Sequence, residues 1–281
     1  MPYERRVDRN NPSCLIFLVD QSASMQEQIV GAPVSKAAAL AEQLNGLLYE
    51  LIQRSTKSLN EPPRPYFAIA VIGYRTESDG SPIVGSVLQI PGAAGPLAWT
   101  TDLANHPLRL DERQRTPGDP TQKFVVPVWI DPLSSGGTPV CGAIDQAGRI
   151  ARSWVDRYPD SFPPIVINLS DGESTDGDPT EWAGRLRGMS TNDGNVLFFN
   201  LDLSSSSAQP ALFPAAPAGD WNRFSQLMFD MSSPLPELML TAARAQGFAA
   251  PPGARGFGLN ADFRSVVTFL NIGTSIGHML R

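Results

Sequence analysis

Asp20, Ser22 and Ser24 alternate in Asp20-Gln-Ser-Ala-Ser-Met25, a carboxylate and two hydroxyls placed directly after the apolar run from Cys14 to Val19. A hard cation such as Mg²⁺ takes oxygen ligands in near-octahedral geometry and keeps several waters, so one carboxylate with two neutral hydroxyls suits it. The same residue types also suit a plain helix N-cap, where Ser and Asp accept from the first free backbone N–H groups. The loop alone leaves both readings open. Two distant segments offer further oxygen donors: Thr138 in Ser134-Ser-Gly-Gly-Thr-Pro-Val140, and Asp171 in Ile165-Val-Ile-Asn-Leu-Ser-Asp-Gly-Glu173.

Such loops need strands to hold them. Cys14 to Val19 shows no polar alternation, the pattern of a strand buried on both faces of a parallel sheet. Its oxygen donors then lie at the carboxyl end, where open α/β sheets bind ligands. The spacing of Leu40, Leu44, Leu47, Leu48 and Leu51 predicts an amphipathic helix within Ser35 to Lys57, and Tyr66 to Tyr74 reads as a second buried strand. Helices are expected at Val140 to Tyr158, Thr180 to Met189, Pro236 to Gln246 and Asn260 to Leu280; strands at Ile165 to Leu169, Asn195 to Leu203 and Ala254 to Leu259. Between them, residues 76–121 read as an irregular insertion with one edge strand at Ile83 to Ile90, and 204–236 as a second insertion rich in Pro and Ala. The four serines Ser204 to Ser207 read as a flexible turn. Trp221, Phe224, Met228, Phe229 and Met231 suit either packing on the domain's flank or an exposed partner surface. Trp99, Thr100, Thr101 and Asp102 read either as one wall of the site or as a loop anchored by Trp99. The sum is one α/β domain over residues 1–281: a Rossmann-like, doubly wound, mostly parallel sheet with one antiparallel edge strand and helices on both faces.

Composition removes several classes. A net charge of −6 with pI near 5.0 gives no electrostatic footprint for nucleic acid or an anionic membrane. No run of about 18 apolar residues predicts a membrane span, and the N-terminus lacks the pattern of a secretory signal, so a cytoplasmic location is expected. Cys14 and Cys141 read as small buried fillers, and His106 and His278 are too isolated to complete a zinc site.

With Asp20-x-Ser22-x-Ser24, Thr138 behind two glycines and Asp171 at a strand end, the chain resembles the von Willebrand factor type A (vWA) family and its metal-ion-dependent adhesion site. The five positions keep the family's residue types and order. The resemblance implies a vWA fold in which Asp20, Ser22, Ser24, Thr138 and Asp171 hold Mg²⁺ or Mn²⁺, and a protein partner's Asp or Glu completes the coordination. Two carboxylates would neutralise a divalent ion and three hydroxyls would leave it electrophilic, which favours an incoming carboxylate. Glu173, two residues beyond Asp171, is either an internal competitor for that place or a solvated acid. The motifs look most like those of bacterial standalone tellurium-resistance-type vWA proteins, which implies a stress-response or defence system with a Ser/Thr kinase and a metal-dependent phosphatase. Gln21 departs from the small or hydrophobic residue of many relatives, and segments 76–121 and 204–236 have no counterpart in them.

Other classes predict other features. A regulatory subunit of an AAA+ ATPase (chelatase-like) machine would use the same domain against a separate ATPase ring. A metal-dependent hydrolase would need a general base and often a second metal, and no residue is assigned to either; Asp176 and Asp202 lie near the same edge without a role. Walker and His-Glu-x-x-His motifs are missing from the sequence, and its one Gly-x-Ser-x-Gly string, Gly273 to Gly277, falls within the expected C-terminal helix and not after a strand as a nucleophile elbow would. Hence no enzymatic activity is expected. An extracellular adhesin is disfavoured because neither a signal nor a disulfide framework is present.

Overall fold

In β1 (Ser13–Asp20) all eight residues are buried, because successive side chains point to opposite faces and both faces are covered. Leu15, Phe17 and Val19 enter one apolar core; Cys14, Ile16 and Leu18 enter the other. The computed structural model describes residues 3–29, 32–58, 61–114, 123–203, 208–260 and 263–273.

After β1 come a 3-10 turn (Ala23–Gln26), α1 (Lys36–Arg54), β2 (Phe67–Thr76), β3 (Pro82–Ser86), β4 (Ala98–Trp99), α2 (Thr100–Asn105), β5 (Arg109–Gln114) and β6 (Lys123–Val128). The second half holds α3 (Val140–Arg157), β7 (Ile165–Ser170), α4 (Thr180–Arg187), β8 (Ser190–Thr191), β9 (Gly194–Asn195), β10 (Leu197–Asp202), β11 (Ala211–Leu212), α5 (Arg223–Met231), α6 (Glu237–Ala245), β12 (Phe257–Leu259) and α7 (Phe263–Gly273). The main sheet runs β11-β12-β10-β7-β1-β2-β3, with β4 also on β2. β12, β10, β7, β1 and β2 are parallel. The expected antiparallel edge is β3; the two-residue β11 adds another at the far edge. The core on one side draws on α1, α6 and α7, the other on α3, α4 and α5, which gives the doubly wound arrangement.

Several boundaries differ from the sequence reading. Helix α1 stops at Arg54, and Ser35 caps it by accepting from Ala38 N at 3.1 Å. Losing that cap through Ser35→Ala is expected to cost about 1 kcal/mol in urea unfolding. The edge strand expected to reach Ile90 ends at Ser86. Residues 76–121 are less irregular than expected: they contain β4, α2 and β5, which pairs with β6 in a two-stranded ribbon. Strand β5 alternates charge instead of hydrophobicity, and its arginines are tied down by Glu42 on α1 and by Asp131. Within 204–236, α5 buries Met228, Phe229 and Met231 in the α3 core, and Trp221 just before it packs against Phe229 and Phe257. That segment is therefore a layer of the sheet sandwich, of the two readings the one in which the apolar residues pack. The Ser204 to Ser207 turn and the last residues of the expected C-terminal helix, 274–281, lie outside the described residues.

Candidate metal centre

Parallel strands bring the three oxygen-bearing loops to one edge. β1 lies between β2 and β7, so the chain leaves Asp20 and Ser170 from neighbouring strands at the same carboxyl end. Asp20 is 1% exposed. Its Oδ1 accepts from Ser22 N at 2.8 Å and its Oδ2 from the Ser170 hydroxyl at 2.6 Å. Burial pushes the Asp20 carboxyl up to about 6, against the lowering effect of the bonds from Ser170 and Ser22. The Ser22 and Ser24 hydroxyls lie 3.0 Å apart, and Ser24 Oγ donates to Asp171 Oδ1 at 2.6 Å. Four of the five expected ligands thus form one hydrogen-bonded chain.

The fifth, Thr138, arrives from the loop before α3. Its backbone is pinned to the Asp171 loop, since Thr138 N donates to Thr175 Oγ1 and Thr175 N donates to Thr138 O, at 3.0 and 2.9 Å. A Cβ built on Gly172 would lie 3.6 Å from Thr138 Oγ1 and 3.9 Å from Ser24 Oγ, so the two hydroxyls flank the same small space. Among the described residues Thr138 Oγ1 has no hydrogen-bond partner, which leaves its lone pairs free. The first loop is tied to the same segment: Ala23 N donates to Gly136 O at 2.9 Å and Ser135 N to Gln21 O at 2.7 Å.

The first loop does not act as a side-chain helix cap. Ser22 stands at the N-cap position of the 3-10 turn yet makes no side-chain capping bond, and the cap of α1 is Ser35. The hydroxyls turn to each other and to Asp171 instead. Gln21 is explained locally, because its side chain lies over Gly73 so closely that a Cβ there would collide with it.

Other candidates find plain roles. Asp176 caps α3, accepting from Cys141 N at 3.0 Å and Gly142 N at 2.9 Å, and Asp202 accepts from Ser225 Oγ at 2.7 Å. Glu173 is exposed, as the solvated reading has it. Trp99 to Asp102 does not line the site: Trp99 pairs with Ala68 at the opening of β2, the opposite end of the sheet, and its ring packs on Trp154 and Tyr158.

Sequence reasoning missed Ser170, Lys36 and the Glu27 that pairs with Lys36. Ser170 is the strand residue before Asp171. Lys36 is 2% exposed and donates to Asp171 Oδ2 at 2.7 Å and to Glu27 Oε2 at 2.8 Å. Burial works to lower the pKa of Lys36, but its bonds to Asp171 and Glu27 outweigh it and the pKa is raised; the exposed Glu27 is lowered by the same pairing. The signal for Lys36 was its place: a lysine in the first turn of a helix opposes the macrodipole and needs a carboxylate nearby.

All five donors are oxygens, two of them charged and three neutral, which fits a hard divalent cation held with waters. Among the described residues no group of three or more His, Cys, Asp or Glu gathers.

No family model and no curated protein matches the chain. Among solved structures, the pilus adhesin SpaC from Lactobacillus rhamnosus GG is similar with a TM-score of 0.50 at 13% identity, over 97% of this chain and 31% of that one. Proximal thread matrix protein 1 from the mussel byssus aligns over 97% of this chain and 49% of its own, with a TM-score of 0.48 and 13% identity. Manganese-loaded Plasmodium vivax TRAP protein aligns over 93% of this chain and 73% of its own, with a TM-score of 0.42 and 16% identity. The chain thus spans about half or less of the first two. At such identities the likeness concerns the fold. Five parallel strands, antiparallel edges, helices on both faces and the oxygen-bearing loops at one carboxyl edge complete the expected architecture.

The fold is a Rossmann-like, doubly wound α/β sheet.

Within the cluster Ser24 is half-buried, whereas Asp20, Ser22 and Asp171 are buried. Among the described residues no helix is long and apolar enough to cross a membrane.

Proposed function

We propose that this chain is a metal-dependent protein-interaction module whose Mg²⁺ or Mn²⁺ captures an Asp or Glu carboxylate of a protein partner. The single observation that carries the reading is the hydrogen-bonded chain Asp20–Ser22–Ser24–Asp171 with Thr138 beside it. A divalent ion bound there would act as a Lewis acid with room for an external anionic ligand. The protein's own part is to bind and orient. Ser24 donates its proton to Asp171 and accepts from the Ser22 hydroxyl, which leaves one lone pair for the cation, and Ser170 and Ser22 N fix both oxygens of Asp20. The same groups argue for binding without turnover: the buried carboxylates are both engaged in hydrogen bonds within the cluster, and among the described residues the exposed Glu173 has no hydrogen-bond partner that would position it as a base.

The motif resemblance supports a place in a bacterial stress-response or defence system of tellurium-resistance type, alongside a kinase and a metal-dependent phosphatase, in the cytoplasm. Affinity purification from cells tests it. Recovery of a kinase or phosphatase that is lost in EDTA and lost with Asp20→Ala is the expected outcome. Recovery of an AAA+ ATPase ring instead would transfer the domain to the chelatase-like class, and partners indifferent to both treatments would refute carboxylate capture. Hydrolysis of a phosphoester or peptide by the isolated chain would refute the non-enzymatic reading.

A further inference from the structure

A lysine 2% exposed, at the first position of a helix, is in a costly place: the helix end is positive and a buried ammonium has left water. Lys36 is compensated by two carboxylates of different kinds. Asp171 has its side chain 1% exposed, whereas that of Glu27 is 64% exposed. The backbone adds a tie, Lys36 N to Glu27 O at 2.8 Å. Asp171 is in turn clamped from both sides, Oδ1 by Ser24 and Oδ2 by Lys36.

The charges of this buried group add up simply. Asp20 and Asp171 contribute −2 and Lys36 +1, so the metal-free centre carries −1. A divalent cation turns that into +1, and one external carboxylate brings it to zero. Without Lys36 the metal-free centre would hold two unbalanced buried carboxylates, and the loaded centre would be neutral before any partner arrived. Glu27 pairs from the water side, where solvent screens it.

We propose that Lys36 is a resident counter-cation of the metal centre, which keeps the metal-free site folded by balancing its buried charge and gives the loaded site the net positive charge that an acidic partner group neutralises. The proposal rests on the reading of the five residues as a metal centre. A purely structural ion pair makes the opposite prediction for metal: its loss would misplace Asp171 and weaken binding, whereas loss of a counter-cation strengthens it.

The test uses the full chain and Mn²⁺ alone, followed by titration calorimetry and by melting with and without the ion. K36M is expected to bind Mn²⁺ tighter by roughly tenfold or more, since a positive charge is removed beside a ligand carboxylate. Its metal-free melting temperature falls and its gain on Mn²⁺ saturation exceeds that of the unaltered chain; K36R returns both toward the original values. E27Q, at an exposed position, is expected to weaken Mn²⁺ binding only about two- to threefold, through loss of one screened negative charge. Mn²⁺ binding to K36M that is unchanged or weaker overturns the proposal. Should K36M fail to fold without metal, K36M/D171N decides: recovery of the metal-free fold supports charge balance, and equal loss overturns it. An unaltered chain whose Mn²⁺ binding is absent or indifferent to Asp20→Asn would refute the metal-centre reading instead, while the melts of K36M and K36M/D171N still judge the part played by Lys36.

Discussion

Asp20→Asn is expected to weaken divalent-ion binding at least about 100-fold while leaving the metal-free protein as stable as before, or more stable. Groups that merely orient a metal ligand typically carry about 10- to 100-fold in affinity, and here a charged ligand itself is lost. The stability side follows from burial. Folding raises the Asp20 carboxyl from the ordinary carboxylate range to about 6, mainly by desolvation. A group whose pKa rises on folding holds its proton more tightly in the native state, so its contribution to stability falls as pH climbs from about 3.8 through about 6. At neutral pH the metal-free chain bears that cost in full, on the order of 3 kcal/mol. Asparagine removes the charge and keeps the contacts. Its Oδ1 can still accept from Ser22 N, and the Ser170 hydroxyl, which also lies 3.3 Å from Gly172 O, can turn to accept from the new amide. Asp20→Ala offers no such repair, because Ser22 N and Ser170 Oγ then lose a buried acceptor at about 1–3 kcal/mol. Calorimetric Mn²⁺ titration and urea unfolding of both variants without metal check this. Undiminished Mn²⁺ affinity in Asp20→Asn would remove Asp20 from the ligand set.

The legible parts of this chain were those where chemistry and periodicity coincide. β1 and β7 declared themselves as short apolar runs that stop at a carboxylate, and α1 and α3 as stripes of Leu, Ile and Ala at helical spacing. The Asp20 and Asp171 loops could be read from residue type alone, since an oxygen donor directly after a buried strand is brought to that sheet edge by construction. The β5–β6 ribbon was illegible because it has little core of its own. Leu110 and Val125 are exposed, and the opposite face is held by Arg109 and Arg113 ion pairs instead of an apolar stripe. Helix α5 was hidden by its surroundings: it spans only nine residues after a Pro- and Ala-rich stretch, and its cap, Asn222 accepting from Ser225 N at 2.8 Å, is a single side chain. Trp99 failed as a site residue for a topological reason. Nearness in sequence to the threonine loop says nothing about which end of β2 the segment pairs with, and it pairs at the amino end.

Lys36 marks the limit of reading a site by its ligands. Motif spacing locates atoms that would touch a cation, but a counter-charge contributes through the sum of charges and can come from any element that ends nearby. Only the packing of α1 against the first loop shows that its opening lysine reaches Asp171, 135 residues away. The same packing explains how the loops keep register, because the contacts between them are mostly backbone bonds that no side-chain motif encodes.

That dependence on backbone gives Gly136→Ala the largest expected effect outside the ligands. Gly136 has φ +70°, a conformation that costs an L-residue about 1–2 kcal/mol. A Cβ there would also run into the carbonyl oxygen of Thr76, closer than real Cβ atoms approach, and Thr76 Oγ1 would lie 2.7 Å away. A backbone atom cannot rotate out of the way, so the loop from Ser134 to Thr138 must move. Moving it strains Gly137 N to Thr76 Oγ1, 2.7 Å, which ties the loop to the end of β2, and Ala23 N to Gly136 O, 2.9 Å, which ties it to the Asp20 loop. Destabilisation of about 3 kcal/mol in urea unfolding is expected, from conformational strain and overpacking together. Mn²⁺ affinity is expected to drop about tenfold or more as Thr138 leaves the centre. Gly172→Ala supplies the contrast: its added methyl would meet Thr138 and Ser24 only at ordinary distances and its φ is unexceptional, so stability should stay within about 0.5 kcal/mol. If Gly136→Ala left both stability and Mn²⁺ affinity intact, the loop would be free to relax, and the placement of Thr138 would not depend on the backbone registration that joins the three loops.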